Sequence, residues 1–283
     1  MSTATFSHDD VSIELPLVEA TQGNNGYDIA RLLGVTGDTT LDVGFANTAS
    51  CRSEITFIDG DAGILRYRGY PIEQLAEKSS FLEVAHLVLH GELPTTDELA
   101  VFSKKIAKYH LVDERMREMF RSLPRKSHPM PVLSAAINAL STFAVSRHGE
   151  DAFDLERATH ILLGSVPTLA AYGYKNSVGE PFLYADDSLS YIENFLRMSF
   201  GLPTGPYPFD DEITRALDVL LILHADHEQN CSTSTVRMVG SSGANIYVSV
   251  AAGVSALSGP LHGGANQAVL EMLQGIRDEG GDV

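Results

Sequence analysis

The sequence predicts a mainly α-helical fold with a small β-rich element at its N-terminus. Up to about residue 70, apolar residues alternate with polar ones between turn-forming residues. From Pro71 onward they recur at helical spacing in almost every segment. With 283 residues, 44% of them hydrophobic and 20% charged, the chain can bury a full core.

The β-rich element rests on two stretches. Val11-Ser-Ile-Glu-Leu15 alternates as a half-buried strand does. Ile55-Thr-Phe-Ile58 is a short β-branched and aromatic run, followed by the turn residues Asp59 to Gly63. Ile64 to Arg68 is placed to pair back as a hairpin.

A helix opens at Pro71, suited to a first turn because proline lacks only an N–H that the helix leaves unused. Ser80 to His90 forms the next, stopped by Gly91, and Thr96 to about His110 another, with acids in its first turn. Val112 to Leu123 is helical, Pro124 to Pro131 interrupts, and Val132 to Ser146 is an Ala- and Leu-rich buried helix. Glu156 to Tyr174, Ser190 to Phe200 and Asp210 to His224 follow. The chain contains no internal repeat.

Composition excludes several functions. A net charge of −17, with no basic stripe, argues against nucleic acid. It leaves room for a small anionic substrate, since a few local cations outweigh a distant acidic surface. The cysteines Cys51 and Cys231 are too few for a disulfide framework and fit a reducing compartment. The first residues carry acids and resemble neither a secretory signal nor a mitochondrial presequence. The apolar run Ile246 to Leu257 is shorter than the roughly 20 residues a membrane span needs. The expectation is a soluble, cytoplasmic protein with no membrane partner.

The stretch from Leu221 to Leu273 concentrates the chemistry. His224 and His227 stand in His-Ala-Asp-His-Glu, spaced to share a face on a helix. A metal reading, with Glu228 as base, lacks a third ligand. A bland reading makes them hydrogen-bonded residues at a helix end. The polar run from Asp226 to Ser234 is either a solvated corner or the wall of a polar pocket, with Asp226 placed to orient an imidazole or cap a backbone group. His262 stands at the start of an expected helix after Gly259-Pro260, where free N–H groups favour an anion or oxyanion and Gly263 and Gly264 permit close approach. His86, His90 and His160 read as core or surface residues, His128 as a rigid corner between prolines, and His8, His110 and His148 as surface residues.

Leu223 to Arg237 and Ser258 to Asn266 closely resemble citrate synthase, as do Thr56 to Leu65, Arg68 to Ile72, Ser127 to Met130 and Pro167 to Ala171. The resemblance covers nearly all the chain after about Asp38, and the β-rich start is similar to the bacterial branch of that family. It implies the multi-helical fold of the family: an N-terminal β-rich element over residues 1–70, part of a large helical domain over 71–228, and the start of a small helical domain over 229–283. It implies condensation of acetyl-CoA with oxaloacetate and water to citrate and CoA, with acetyl-CoA as co-substrate, no permanently bound cofactor and no metal. His227 would donate to the thioester carbonyl and His262 to the oxaloacetate carbonyl. Ala256, Leu257, Ser258, Gly259 and Pro260 would lie against the CoA adenine.

The resemblance also places the catalytic Asp, a Gly-Phe-Gly-His-Arg-like motif and the carboxylate-clamping arginines beyond Val283, so the sequence reads as an N-terminal portion, inactive alone. A substrate-binding His that some relatives carry before an Asn-Phe pair is here Glu193, before Asn194-Phe195. A homo-oligomer, dimer or hexamer, is implied. Competing readings are a 2-methylcitrate synthase using propionyl-CoA, a non-catalytic binder of a CoA-type ligand or protein partner, and a metal hydrolase.

Overall fold

Local chain chemistry sets most element boundaries in the computed structural model, which describes residues 2–281, with Ala152, Ala265 and Asn266 described in backbone only. The chain divides into two compact units, Met1–Ile72 and Glu73–Val283.

The first unit holds two small antiparallel sheets. Strand β1 (Thr3–His8) pairs with β2 (Val11–Val18), and β3 (Gly26–Tyr27) adds to β2. His8 faces Val11 across a tight turn in which Asp9 takes φ 51°. A short helix, α1 (Leu32–Thr36), ends where Gly37 adopts φ 78°. The second sheet joins β4 (Thr56–Asp59), β5 (Ile64–Tyr67) and β6 (Tyr70–Pro71). In its expected hairpin, Asp59 Oδ1 accepts from the Ala62 N–H at 3.0 Å. The sequence gives no sign of β1, whose only half-buried side chains are Ala4 and Phe6.

Helix α2 (Ile72–Lys78) follows directly. Three helices begin with a capping box: Ser80 with Glu83 for α3 (Phe81–His90), Thr95 with Glu98 for α4 (Thr96–Ala107), and Ser190 with Glu193 for α8 (Tyr191–Phe200). Glu193 thus has a structural task. Asp113 caps α5 (Glu114–Ser122), Asp154 caps α7 (Leu155–Val178), and Asp210 caps α9 (Asp211–Leu223).

Helix α6 (Pro129–His148) begins inside the expected proline interruption. Prolines at 129 and 131 fall in the first turn, where no intrahelical N–H bond is lost, and His128 Nδ1 accepts from Met130 N–H at 3.3 Å. Among the described residues, Pro129–Asp151 alone is long and apolar enough to cross a membrane. Its Ala136, Ile137, Leu140 and Ala144 are buried in the protein core.

The core joins α5, α6, α7 and α11 (Ile246–Leu257) around Phe120, Tyr172, Phe182 and Tyr247. Tyr172 and Phe182 stack at 4.6 Å, and Phe120 meets Tyr172 edge-on at 6.0 Å. The fully buried Lys175 ammonium bonds Glu180 and the Gly201 carbonyl, the latter at 2.6 Å, so its charge is paired.

Pro167 lies inside α7 and cannot donate to the Leu163 carbonyl four residues earlier. The Tyr191 hydroxyl of α8 donates to that carbonyl at 2.9 Å, so a neighbouring helix supplies the missing bond. Tyr191→Phe is expected to destabilise the chain by about 1–3 kcal/mol, because it strands a part-buried carbonyl. In a Pro167→Ala background, where the helix bonds its own carbonyl, the same substitution should cost less. Urea unfolding of the four chains measures this coupling. Equal costs in both backgrounds would show that the hydroxyl does not substitute for the helix bond.

Candidate active site

Helix α11 packs against α6 on one side and α10 (Cys231–Gly240) on the other. Small residues make both approaches close. A β-carbon at Gly253 would lie 2.6 Å from Val236 Cγ2. On the α6 side, Ser134 Oγ donates to the Ala251 carbonyl at 2.8 Å and lies 2.8 Å from Ser255 Oγ. The Gly, Ala and Ser content of this segment therefore brings backbone against backbone. Leu257 and Val254 of α11, with Thr233, Val236 and Arg237 of α10, line an apolar groove of about 320 Å³.

One end of this pair, the N-terminus of α10, lies beside both histidine segments. His224 caps the C-terminus of α9, its Nδ1 2.7 Å from the Leu220 carbonyl. The shared helical face expected of His224 and His227 does not form, because α9 ends at Leu223 and His227 lies in the following loop. The two rings nevertheless lie 5.9 Å apart, centroid to centroid. Asp226 accepts from the Glu228 N–H at 3.1 Å, the backbone-capping one of the two roles expected of it, and Glu228 turns with φ 51°. His227, Glu228 and Gln229 are exposed, so this run is a solvated corner here.

Beyond α11 the chain makes a tight turn. Ala256 and Leu257 form the last residues of α11, and Ser258, Gly259 and Pro260 the turn after it. The Gly259 carbonyl accepts from both His262 and Gly263 N–H groups at 3.0 Å. Helix α12 (Gly264–Asp278) starts just after His262, so the imidazole belongs to the turn. Gly263 packs against the Leu257 carbonyl, where a β-carbon would collide with backbone, so this glycine's close approach is to its own chain. His262 is half-buried and its Nε2 lies 3.3 Å from the Ser232 N–H, in the first turn of α10. Among the described residues no hydrogen bond or ring contact joins His227 to His262. They are related through α10, one preceding it in sequence and one seated at its N-terminus. Among the described residues, no three His, Cys, Asp or Glu side chains converge as metal ligands would.

The sequence misses a second feature. A cavity of about 970 Å³ is lined by Phe81, Lys104, Lys108, His110, Tyr191 and Arg215, among others. His110, expected at the surface, is only 5% exposed, and its Nδ1 has no partner among the described residues. The reason is that α4 stops at Ala107 and the next residues fold across α7. There Ser165 Oγ donates to the Tyr109 carbonyl at 3.0 Å and Thr168 Oγ1 to the His110 carbonyl at 2.7 Å. Gly164 admits this crossing, since a β-carbon there would lie 2.9 Å from Tyr109 Cβ. The residues beside His110 give no hint of it, because the contact is made between segments far apart in sequence.

The helical fold disposes two histidine turns about one helix N-terminus. Comparisons with known proteins identify the family. The family profile "Citrate synthase, C-terminal domain" matches residues 44–283. The chain is 58% identical to citrate synthase 1 of Mycobacterium tuberculosis and 54% identical to a citrate synthase of Corynebacterium glutamicum, each over 99% of its own length. It spans 65% and 64% of those relatives. A solved citrate synthase from Thermoplasma acidophilum, a ternary complex with carboxymethyl coenzyme A and oxaloacetate, superposes with TM-score 0.75 at 29% identity, over 84% of this chain and 61% of that one. The chain belongs to the citrate synthase family.

Burial of His110 gives the fold a pH dependence. Desolvation pushes its imidazole below the ordinary 6.5, and the Asp187 charge opposes this only in part. Burial likewise lowers His90, His148 and His160. Above 6.5 both folded and unfolded chains hold these rings neutral, and stability is complete. As pH falls below 6.5 the unfolded chain takes up protons that the folded chain refuses, and stability is lost. Urea midpoints are expected to fall between about pH 7.5 and about pH 5.5, and His110→Gln to make the slope shallower by up to about 1.4 kcal/mol per pH unit. An unchanged slope in that variant would remove His110 from the account.

Proposed function

We propose that the protein condenses acetyl-CoA with oxaloacetate and water to give citrate and free CoA, an acyl transfer in which the acetyl methyl carbon attacks a ketone. The observation that carries this reading is the seating of His262 against the N-terminus of α10, with His227 in the loop that leads into the same helix. In the Thermoplasma relative, both a CoA analogue and oxaloacetate are bound in one complex.

On this reading His227 donates a hydrogen bond to the thioester carbonyl of acetyl-CoA. Loss of a methyl proton puts negative charge on that oxygen, and a donor aimed there lowers the barrier to the enol. His262 donates to the oxaloacetate carbonyl, drawing electron density from the carbon that the enol attacks. Carbon–carbon bond formation gives citryl-CoA, and hydrolysis of its thioester releases CoA. Ala256, Leu257, Ser258, Gly259 and Pro260 offer the CoA adenine a surface of small side chains and turn backbone beside the apolar groove. The proton acceptor and the carboxylate-clamping arginines are assigned to no residue of this chain. Residues 71–228 then belong to a large helical domain and 229–283 to a small one, with side chains of both in one core here. A cytoplasmic homo-oligomer without a permanently bound cofactor completes the proposal.

The test is thiol release by the full-length protein, followed with a thiol-reactive dye. Release is expected only when acetyl-CoA and oxaloacetate are both present. His227→Ala and His262→Ala should each slow turnover by about 100-fold or more, the scale of a lost transition-state donor. Wild-type rates in both variants would overturn the assignment, and faster release from propionyl-CoA would redirect it to 2-methylcitrate synthesis.

A further inference from the structure

The first turn of α10 divides its free N–H groups in a way that bears on His262. Asn230 caps the helix, and its Oδ1 accepts from the Thr233 N–H at 2.8 Å and from Ser232 Oγ at 2.8 Å. The Ser234 N–H bonds the Asn230 carbonyl at 2.9 Å. The Ser232 N–H is directed elsewhere, to Nε2 of His262 at 3.3 Å. The ring is held on that side by its backbone, since the His262 and Gly263 N–H groups both bond the Gly259 carbonyl and Gly263 packs on the Leu257 carbonyl.

A ring nitrogen that accepts a hydrogen bond carries no proton, so the single proton of the neutral imidazole sits on the other nitrogen. We propose that the backbone N–H of Ser232 is a positioning group that fixes His262 as its Nδ1–H tautomer, making Nδ1 the atom with which His262 donates to a substrate oxygen. The tautomer follows from the geometry alone, whereas its use in turnover rests on the function proposed above. The Ser232 hydroxyl takes no part, because it is already committed to Asn230.

Two variants separate backbone from side chain. Ser232→Pro removes both the N–H and the hydroxyl at a first-turn position of the kind Pro131 occupies in α6, and Ser232→Ala removes the hydroxyl alone, so the difference between them reports the N–H. Histidine labelled with nitrogen-15 reports the tautomer through long-range proton–nitrogen correlations, read at about pH 8.5, where imidazoles are neutral. His262→Gln identifies the resonance by its loss. The expected result is an Nδ1–H ring in the wild type and in Ser232→Ala, moving toward Nε2–H in Ser232→Pro. An Nε2–H ring in the wild type overturns the proposal, and so does a Ser232→Pro spectrum identical to it. If Ser232→Pro does not fold, the wild-type and Ser232→Ala spectra still decide. For the catalytic half, Ser232→Pro is expected to lower kcat by about tenfold or more, as a mis-set tautomer does, with Ser232→Ala within about twofold. Unchanged turnover in Ser232→Pro overturns that half. Absence of turnover in the wild type would overturn the proposed function and leave the tautomer result standing.

Discussion

The close packing of α11 between α6 and α10 is the constraint on which the candidate site depends. It is possible only because α11 presents Ala251, Gly253 and Ser255 where larger side chains would separate the helices. The Ser134 bond to the Ala251 carbonyl crosses the α6 face and fixes how far α11 can slide along its neighbour. With α11 held, its C-terminal end fixes the turn carrying His262, and its other face fixes α10, whose first turn meets that ring. A bulky residue at any of these contacts would act on the histidine without touching it.

The same helical unit shows how polar demands are met inside a core. Pro167 breaks one backbone bond of α7, and a tyrosine from α8 completes it. Lys175 is buried, and a carboxylate and a backbone carbonyl surround its ammonium. Arg215 of α9 bonds Asp218 and the Ser79 carbonyl, while Asp218 also accepts from the Phe81 N–H, tying α9 to the start of α3. The bonds to the Leu163, Gly201 and Ser79 carbonyls and from the Phe81 N–H join segments distant in sequence, where a lost partner would leave a polar group of the interior unsatisfied. Such bonds select one arrangement of helices among those that hydrophobic burial alone would allow.

Much of the architecture was legible in the residues. The change of period at Pro71, the acids in the first turn after Thr96 and the glycine stop at Gly91 mark helices by local chemistry, and the structure places helices there. Local chemistry also explains two shifts. The proline interruption is shorter than expected because the first turn of α6 accepts prolines, and α4 is shorter because its last expected residues are drawn across α7. The strand Thr3–His8 was illegible because its half-buried positions are too few to make a pattern. The histidines divide in the same way. His262 announced itself through its glycines, whereas the burial of His110 had no local sign.

What the sequence determined by itself is therefore most of the helices, though not α1 or α10, together with the β-rich start and the two histidine motifs that mark the family, because caps, turns and hydrophobic period act over a few residues. Only the tertiary structure decided that His224 and His227 leave the helix, that Gly263 serves its own backbone, that His110 is buried beside a cavity, and that His262 meets the Ser232 N–H. Those outcomes depend on which surfaces meet, and that is set by side-chain volumes and unsatisfied backbone groups contributed by segments far apart along the chain.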